Sequence, residues 1–184
     1  MIKRIQALGG IVLTALMLSA CNSPSEEEKT AAVEVPEGWV LHEADGPYAL
    51  ASPPEWEMDY SGRMNTQFIL FSPQDSINDF FRENINLIIE DVSSQSITID
   101  DYLEQSKKIL FEYITDLKNL KIQKEQDFFW LSYEGRQGTM NLSYFQRMSM
   151  KRDTVYVLTY TSIADRPTER DEEVEDIMRT FTVD

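Results

Sequence analysis

Apolar positions along the chain follow three rhythms. From Ile5 to Leu18 they run nearly unbroken, and from about Gly38 onward they alternate over short stretches or recur every three to four residues. Trp39 to Ala44 and Tyr48 to Ser52 flank Asp45-Gly46-Pro47 and predict a hairpin, ended by Ser52-Pro53-Pro54-Glu55-Trp56 because proline cannot continue a ladder. Gln67 to Ser72, stopped by Pro73, and Asn84 to Val92 predict two further strands. Thr98 or Asp100 then caps a helix in which Tyr102, Ser106, Ile109, Leu110, Tyr113, Ile114 and Leu117 keep helical spacing. Its expected packing face is Ile109, Leu110, Tyr113 and Ile114. Three more extended stretches follow: Lys121 to Arg136, broken near Gln126-Asp127; Thr139 to Met150; and Thr154 to Ile163. A final helix from about Thr168 places Val174, Ile177, Met178 and Phe181 on one stripe.

Strands joined by tight turns pair antiparallel. Val155 to Tyr160 is apolar on both faces, so the sheet needs cover on both sides. The expected fold class is α+β: a central antiparallel sheet with helices packed on both faces, an α/β/α sandwich. Residues 38–184 hold every Trp, Tyr and Phe and read as one domain. Residues 21–37, rich in Ser, Pro and Glu, read as a flexible tether.

The unbroken run has a different meaning. Lys3 and Arg4 precede it, and it is short for a membrane-spanning helix, so residues 1–20 read as a targeting segment. Leu18-Ser19-Ala20-Cys21 closely resembles the bacterial lipobox. That resemblance implies cleavage before Cys21, a diacylglycerol on its thiol and acylation of the new amino terminus. Two or more acyl chains anchor durably where one does not. The expected membrane partner is therefore the lipid anchor at Cys21, and the expected location is the bacterial cell envelope, at the outer membrane. Glu26-Glu27-Glu28 reads as a solvated spacer, or as a surface-export signal by resemblance to some Bacteroidetes lipoproteins, which leaves the leaflet open.

Charge and composition narrow the chemistry. A formal charge of −15 excludes nucleic acid as a partner, because nothing would neutralise phosphates. It also keeps the domain off an anionic lipid surface. One Cys and one His exclude a disulfide framework and a Cys/His-rich metal centre. No cofactor is expected.

Ser52-Pro53-Pro54-Glu55-Trp56, Asn86-Leu87-Ile88-Ile89, the mid-chain helix and the closing Met178-Arg179-Thr180-Phe181 together resemble the PsbP-like family. That family includes the photosystem II extrinsic protein, a Ran-binding nuclear import factor and many bacterial envelope lipoproteins. Its usual glycine before the first tryptophan is Glu55 here. The resemblance implies a fold and no catalytic motif.

Candidate chemistry is sparse. His42 lies outside any Ser/Asp arrangement visible in sequence, though triads assemble in space. Asp100-Asp101 and Asp171-Glu172-Glu173 sit where helix starts favour acids. Asp75-Ser76-Ile77-Asn78-Asp79 alternates like calcium ligands, without the glycine or terminal glutamate of an EF-hand loop. Met140, Met148 and Met150, with Met178, read as core filling, or as a soft-metal or adaptable peptide face. Trp39, Trp56 and Trp130 belong to a core or a groove, and Lys118, Lys121, Lys124, Arg147, Lys151 and Arg152 are spread along strand ends. The expectation is a non-catalytic binding or accessory module with an unknown envelope protein as partner. The alternative is a hydrolase or metal-dependent enzyme whose site forms only in three dimensions.

Overall fold

The computed structural model describes residues 34–43, 46–74, 76–77, 81–164 and 170–183. Cys21 and the segment before residue 34 lie outside them, as do Asp75, Asn78, Asp79 and Thr168. The strands are β1 (Val40–Glu43), β2 (Tyr48–Ser52), β3 (Glu57–Asp59), β4 (Phe68–Phe71), β5 (Asn84–Asp91), β6 (Thr115–Glu125), β7 (Phe128–Gln137), β8 (Met140–Lys151), β9 (Thr154–Ile163) and β10 (Thr182–Val183). The helices are α1 (Ile99–Tyr113) and α2 (Asp171–Arg179). Seven strands form one antiparallel sheet in the order β3-β4-β5-β9-β8-β7-β6, and β1-β2-β10 form a second, smaller one.

Alternation along β7 and β9 separates two cores. Phe129, Leu131, Val155 and Val157 share one cluster with Leu103 and Leu110 of α1. Trp130, Tyr156, Leu158 and Tyr160 share the other with Val174, Ile177 and Met178 of α2, and with Tyr48 and Leu50 of the small sheet. Neighbouring residues of a strand point to opposite faces, so the two clusters flank the large sheet. The second layer combines a nine-residue helix with a small sheet.

The packing face of α1 differs from the expected one. Leu103 and Leu110 are buried, whereas Ile109 and Tyr113 are 56 % and 72 % exposed. Leu103 and Leu110 face the sheet, with Ile99 and Tyr102 packed beside them and the Tyr102 hydroxyl donating to Glu90 of β5 at 2.6 Å. At its start, Asp101 N–H donates to Thr98 Oγ1 at 3.2 Å and Thr98 N–H to Asp101 Oδ2 at 3.0 Å. At its end, Leu117, expected on the helix, belongs to β6 instead.

β6 is irregular. Between Thr115 and Lys121 it spans three residues for every two on β7, with Asp116 and Asn119 at φ 55° and 57°. Just before it, Ile114 fills the space over Gly135, where a Cβ would collide with Ile114 Cγ2. Gly135→Ala should therefore destabilise the domain by about 1–3 kcal/mol, the usual size of overpacking. Chemical denaturation would read it, and an Ile114→Ala background should remove most of the loss. Equal losses in both backgrounds would mean that the corner between α1 and β6 is not tightly packed.

Candidate functional site

A nine-residue helix does not persist alone in water, so α2 depends on its surroundings. Near its start, Trp56 Nε1 donates to Glu173 Oε1 at 2.9 Å, tying the turn after β2 to the helix. Near its end a larger network forms. Glu125, at the end of β6, accepts from Trp130 Nε1 at 2.9 Å and from Arg179 at 3.0 and 3.3 Å. Trp130 stacks on Phe145, with centroids 4.7 Å apart, and meets Phe128 edge-on. The Arg179 guanidinium lies 5.3 Å from the Trp130 ring centre and also reaches Glu175.

Arg147 closes the network from below. Its guanidinium lies 4.3 Å from the Phe128 ring centre, and Nη1 donates to the Met178 and Phe181 carbonyls at 2.7 and 2.8 Å. The last carbonyls of a helix lack intrahelical donors and carry partial negative charge, so a buried guanidinium suits them. Burial, with the positive charge of Arg179 beside it, pushes the Arg147 pKa down to about 10, against an opposing pull from Glu125. The bonds from Arg179 and Trp130 hold Glu125 below the usual carboxylate range.

Beside this network lies an open groove of about 870 Å³, lined by Pro36, Trp39, Asp176, Arg179, Thr180 and Thr182 among others. An aromatic wall and a rim of both charge signs suit another protein's surface better than a small anion.

His42 and Ser52 do come together, across the hairpin of β1 and β2, with Nε2 and Oγ 2.9 Å apart. Ser52 has no solvent exposure, and its Oγ donates to the Pro53 carbonyl at 3.2 Å. The direction of the His42–Ser52 bond follows the imidazole tautomer, since the single hydroxyl proton can serve either Pro53 or His42. Burial lowers the His42 pKa. The contact ties β1 to β2 at a serine shut off from solvent.

The methionines do not gather. Met148 and Met150 line the cluster under α1 and Met140 is exposed, whereas Met178 belongs to the cluster on the other face. The strand register places the sheet between them. The three tryptophans converge instead: Trp56 and Trp130 are buried in the α2 cluster, and Trp39 packs against it. Lys118 pairs with Glu134 and Lys124 with Asp100, while Arg147 lies inside. Among the described residues, no group of three or more His, Cys, Asp or Glu is placed to hold a metal, and no helix is long and apolar enough to cross a membrane. Sequence reasoning missed the role of Arg147 and the buried Glu83, which accepts from Ser72 Oγ at 3.1 Å and pairs with Arg170 at 3.5 Å.

Among solved structures, cyanobacterial PsbP (CyanoP) from Synechocystis sp. PCC 6803 aligns with a TM-score of 0.54 at 15 % identity, covering 80 % of this chain and 93 % of its own. In fold, the chain is similar to PsbP. PA94, a protein of unknown function from Pseudomonas aeruginosa, aligns with a TM-score of 0.53 at 14 % identity, over 77 % of this chain and 94 % of its own. LpqN, involved in cell envelope biogenesis of Mycobacterium tuberculosis, gives 0.45 at 14 % identity, over 77 % and 83 %. No family model matches the chain, and no curated protein matches its sequence. At these identities the likeness is one of fold.

Proposed function

We propose that this chain is an accessory binding module of the bacterial cell envelope, anchored through lipid on Cys21 and engaging an envelope protein through the groove beside the end of α2. The observation that carries this reading is what the environment-shifted polar groups do. Arg147 caps α2, Glu125 holds Arg179 and Trp130, and His42 hydrogen-bonds a buried serine. These groups hold the fold together, and of their network Arg179 lines the open groove, whereas an enzyme would turn such groups toward a substrate. The sandwich with one helix on each face belongs to the same proposal, supported by α1 and α2 residues falling in separate clusters.

The anchor rests on the lipobox-like Leu18-Ser19-Ala20-Cys21 and the apolar run before it. Cys21→Ser should move the protein from the membrane pellet to the soluble fraction when cells expressing either form are fractionated. Unchanged retention would remove the lipid anchor from the proposal. The hydrolase reading keeps one point in its favour, the Ser52–His42 contact. Labelling of Ser52 by a fluorophosphonate probe in the folded protein would revive it, and no labelling is expected.

A further inference from the structure

A second cavity, of about 260 Å³, lies between the sheet and α2, with Val174 and Glu175 on the helix side. Its sheet side is unusual for a buried face. Ser132 of β7, Ser143 of β8 and Ser162 of β9 all open into it. Ser143 and Ser162 are directly opposed in the ladder, and Ser132 shares the adjacent cross-strand row with Phe145 and Tyr160. Large side chains fill the α2 cluster around this patch, so three small hydroxyl residues on neighbouring strands leave a space that packing alone would close. Among the described residues, no side-chain hydrogen bond engages these three hydroxyls, so their donors and acceptors face the cavity.

Phe145 adds a flat apolar surface. Trp130 covers one face of its ring, in parallel at 4.7 Å, and Trp130 approaches from the Arg147 side of the strand. Phe145 also lines the cavity, beside Ser143. Glu175 receives both Arg179 bonds on Oε1, which leaves Oε2 as an acceptor at the rim.

We propose that this cavity binds a neutral, polyhydroxylated ring: one monosaccharide unit, its ring laid on Phe145 and its hydroxyls shared among Ser132, Ser143, Ser162 and Glu175. Each part excludes an alternative. An anion would meet the carboxylate of Glu175, and the guanidinium bound to that carboxylate, Arg179, is already engaged by Glu125 and Glu175. A purely apolar ligand would leave three hydroxyls without partners. An extended peptide does not fit a space of about 260 Å³, which is small even for a ligand pocket. The site lies apart from the groove beside the end of α2, and the proposal stands whether or not that groove engages a protein.

The test is titration of the purified full-length chain with glucose and with N-acetylglucosamine, followed by intrinsic tryptophan fluorescence and by saturation-transfer NMR. Sorbitol, an open-chain polyol, controls for general osmolyte effects. At least one of the two sugars should give a saturable response in the millimolar range, on the order of −4 kcal/mol, with no saturable response to sorbitol. Ser143→Leu, which fills the space, should weaken binding at least ~10-fold. Glu175→Gln, a surface change that keeps the cavity open, should weaken it by a smaller factor and serves as the second variant if Ser143→Leu does not fold. No saturable response to either sugar up to about 50 mM, far weaker than useful binding, would overturn the proposal. So would equal binding by a folded Ser143→Leu protein, or unchanged binding by Glu175→Gln if Ser143→Leu does not fold.

Discussion

Ile177→Ala should cost about 2–5 kcal/mol of folding free energy, the usual range for truncating a fully buried aliphatic side chain. Ile177 has no solvent exposure and sits among Leu50, Tyr156 and Phe181, where α2, the small sheet and the large sheet meet. Two effects add. Removing its outer carbons forfeits burial and leaves a cavity in a region with little freedom to collapse. It also weakens the contact that keeps a nine-residue helix folded, because a helix of that length draws its stability from its packed face. Ile109→Ala is the internal control. Ile109 is the residue that helical spacing alone places in the core, yet it lies 56 % exposed, so its truncation should stay within about 0.5 kcal/mol. Urea midpoints with an unchanged slope would read both. A loss below about 1 kcal/mol for Ile177→Ala would mean that α2 does not seal the sheet.

Arg147→Met should be nearly as costly, about 2–4 kcal/mol, for a different reason. Methionine matches much of the volume and relieves the desolvation that depresses the arginine's pKa, which by itself favours the substitution. Against that, the Met178 and Phe181 carbonyls lose the one guanidinium nitrogen they share. The Phe181 carbonyl loses that donor, at roughly 1–3 kcal/mol, while the Met178 carbonyl keeps a long bond from the Phe181 N–H at 3.4 Å, and the stacking on Phe128 is lost as well. Together these losses outweigh the relief. Arg147→Lys should recover only part of the loss, because an ammonium cannot both lie flat on Phe128 and reach two carbonyls. Amide hydrogen exchange should show faster opening at the end of α2 and in β10, with α1 unaffected. Unchanged exchange there would remove Arg147 from its capping role.

The sheet was legible in sequence wherever alternation was strict. Along β9, Val155 to Tyr160 is apolar on both faces, and the structure covers both. The end of β6, Lys121 to Glu125, reads as extended, but its first part, Thr115 to Leu120, was not legible, because two bulges replace a period of two with a period of three. Ile114, Leu117 and Leu120 consequently keep near-helical spacing, and the strand reads as the tail of α1. β3 and β10, three and two residues long, are too short to show any period. The site was hidden by a related ambiguity. On β8, Ser143, Phe145, Arg147 and Ser149 alternate with the apolar residues and look like a solvated face. In the structure Phe145 packs against the α2 cluster and Arg147 caps α2. A polar strand face covered by a helix carries no mark of its own in sequence. The hint that was available is Phe145 beside Arg147, an aromatic out of place on a face meant for water. His42 and Ser52 are ten residues apart but become diagonal neighbours once the hairpin registers, and no spacing rule singles out that pair.

The bulges that obscure β6 also govern how copies of this domain meet one another. β6 is the long outer strand of the large sheet, and an outer strand with free backbone groups is a template on which a second chain can zip up. A straight partner can match β6 for only a few residues before Asp116 or Asn119 throws the ladder out of step. The opposite border, β3, is only three residues long. Even crowded copies should therefore remain separate and soluble instead of fusing into continuous sheets, and straightening β6 by removing its bulges would turn a quiet border into a seed for fibrils.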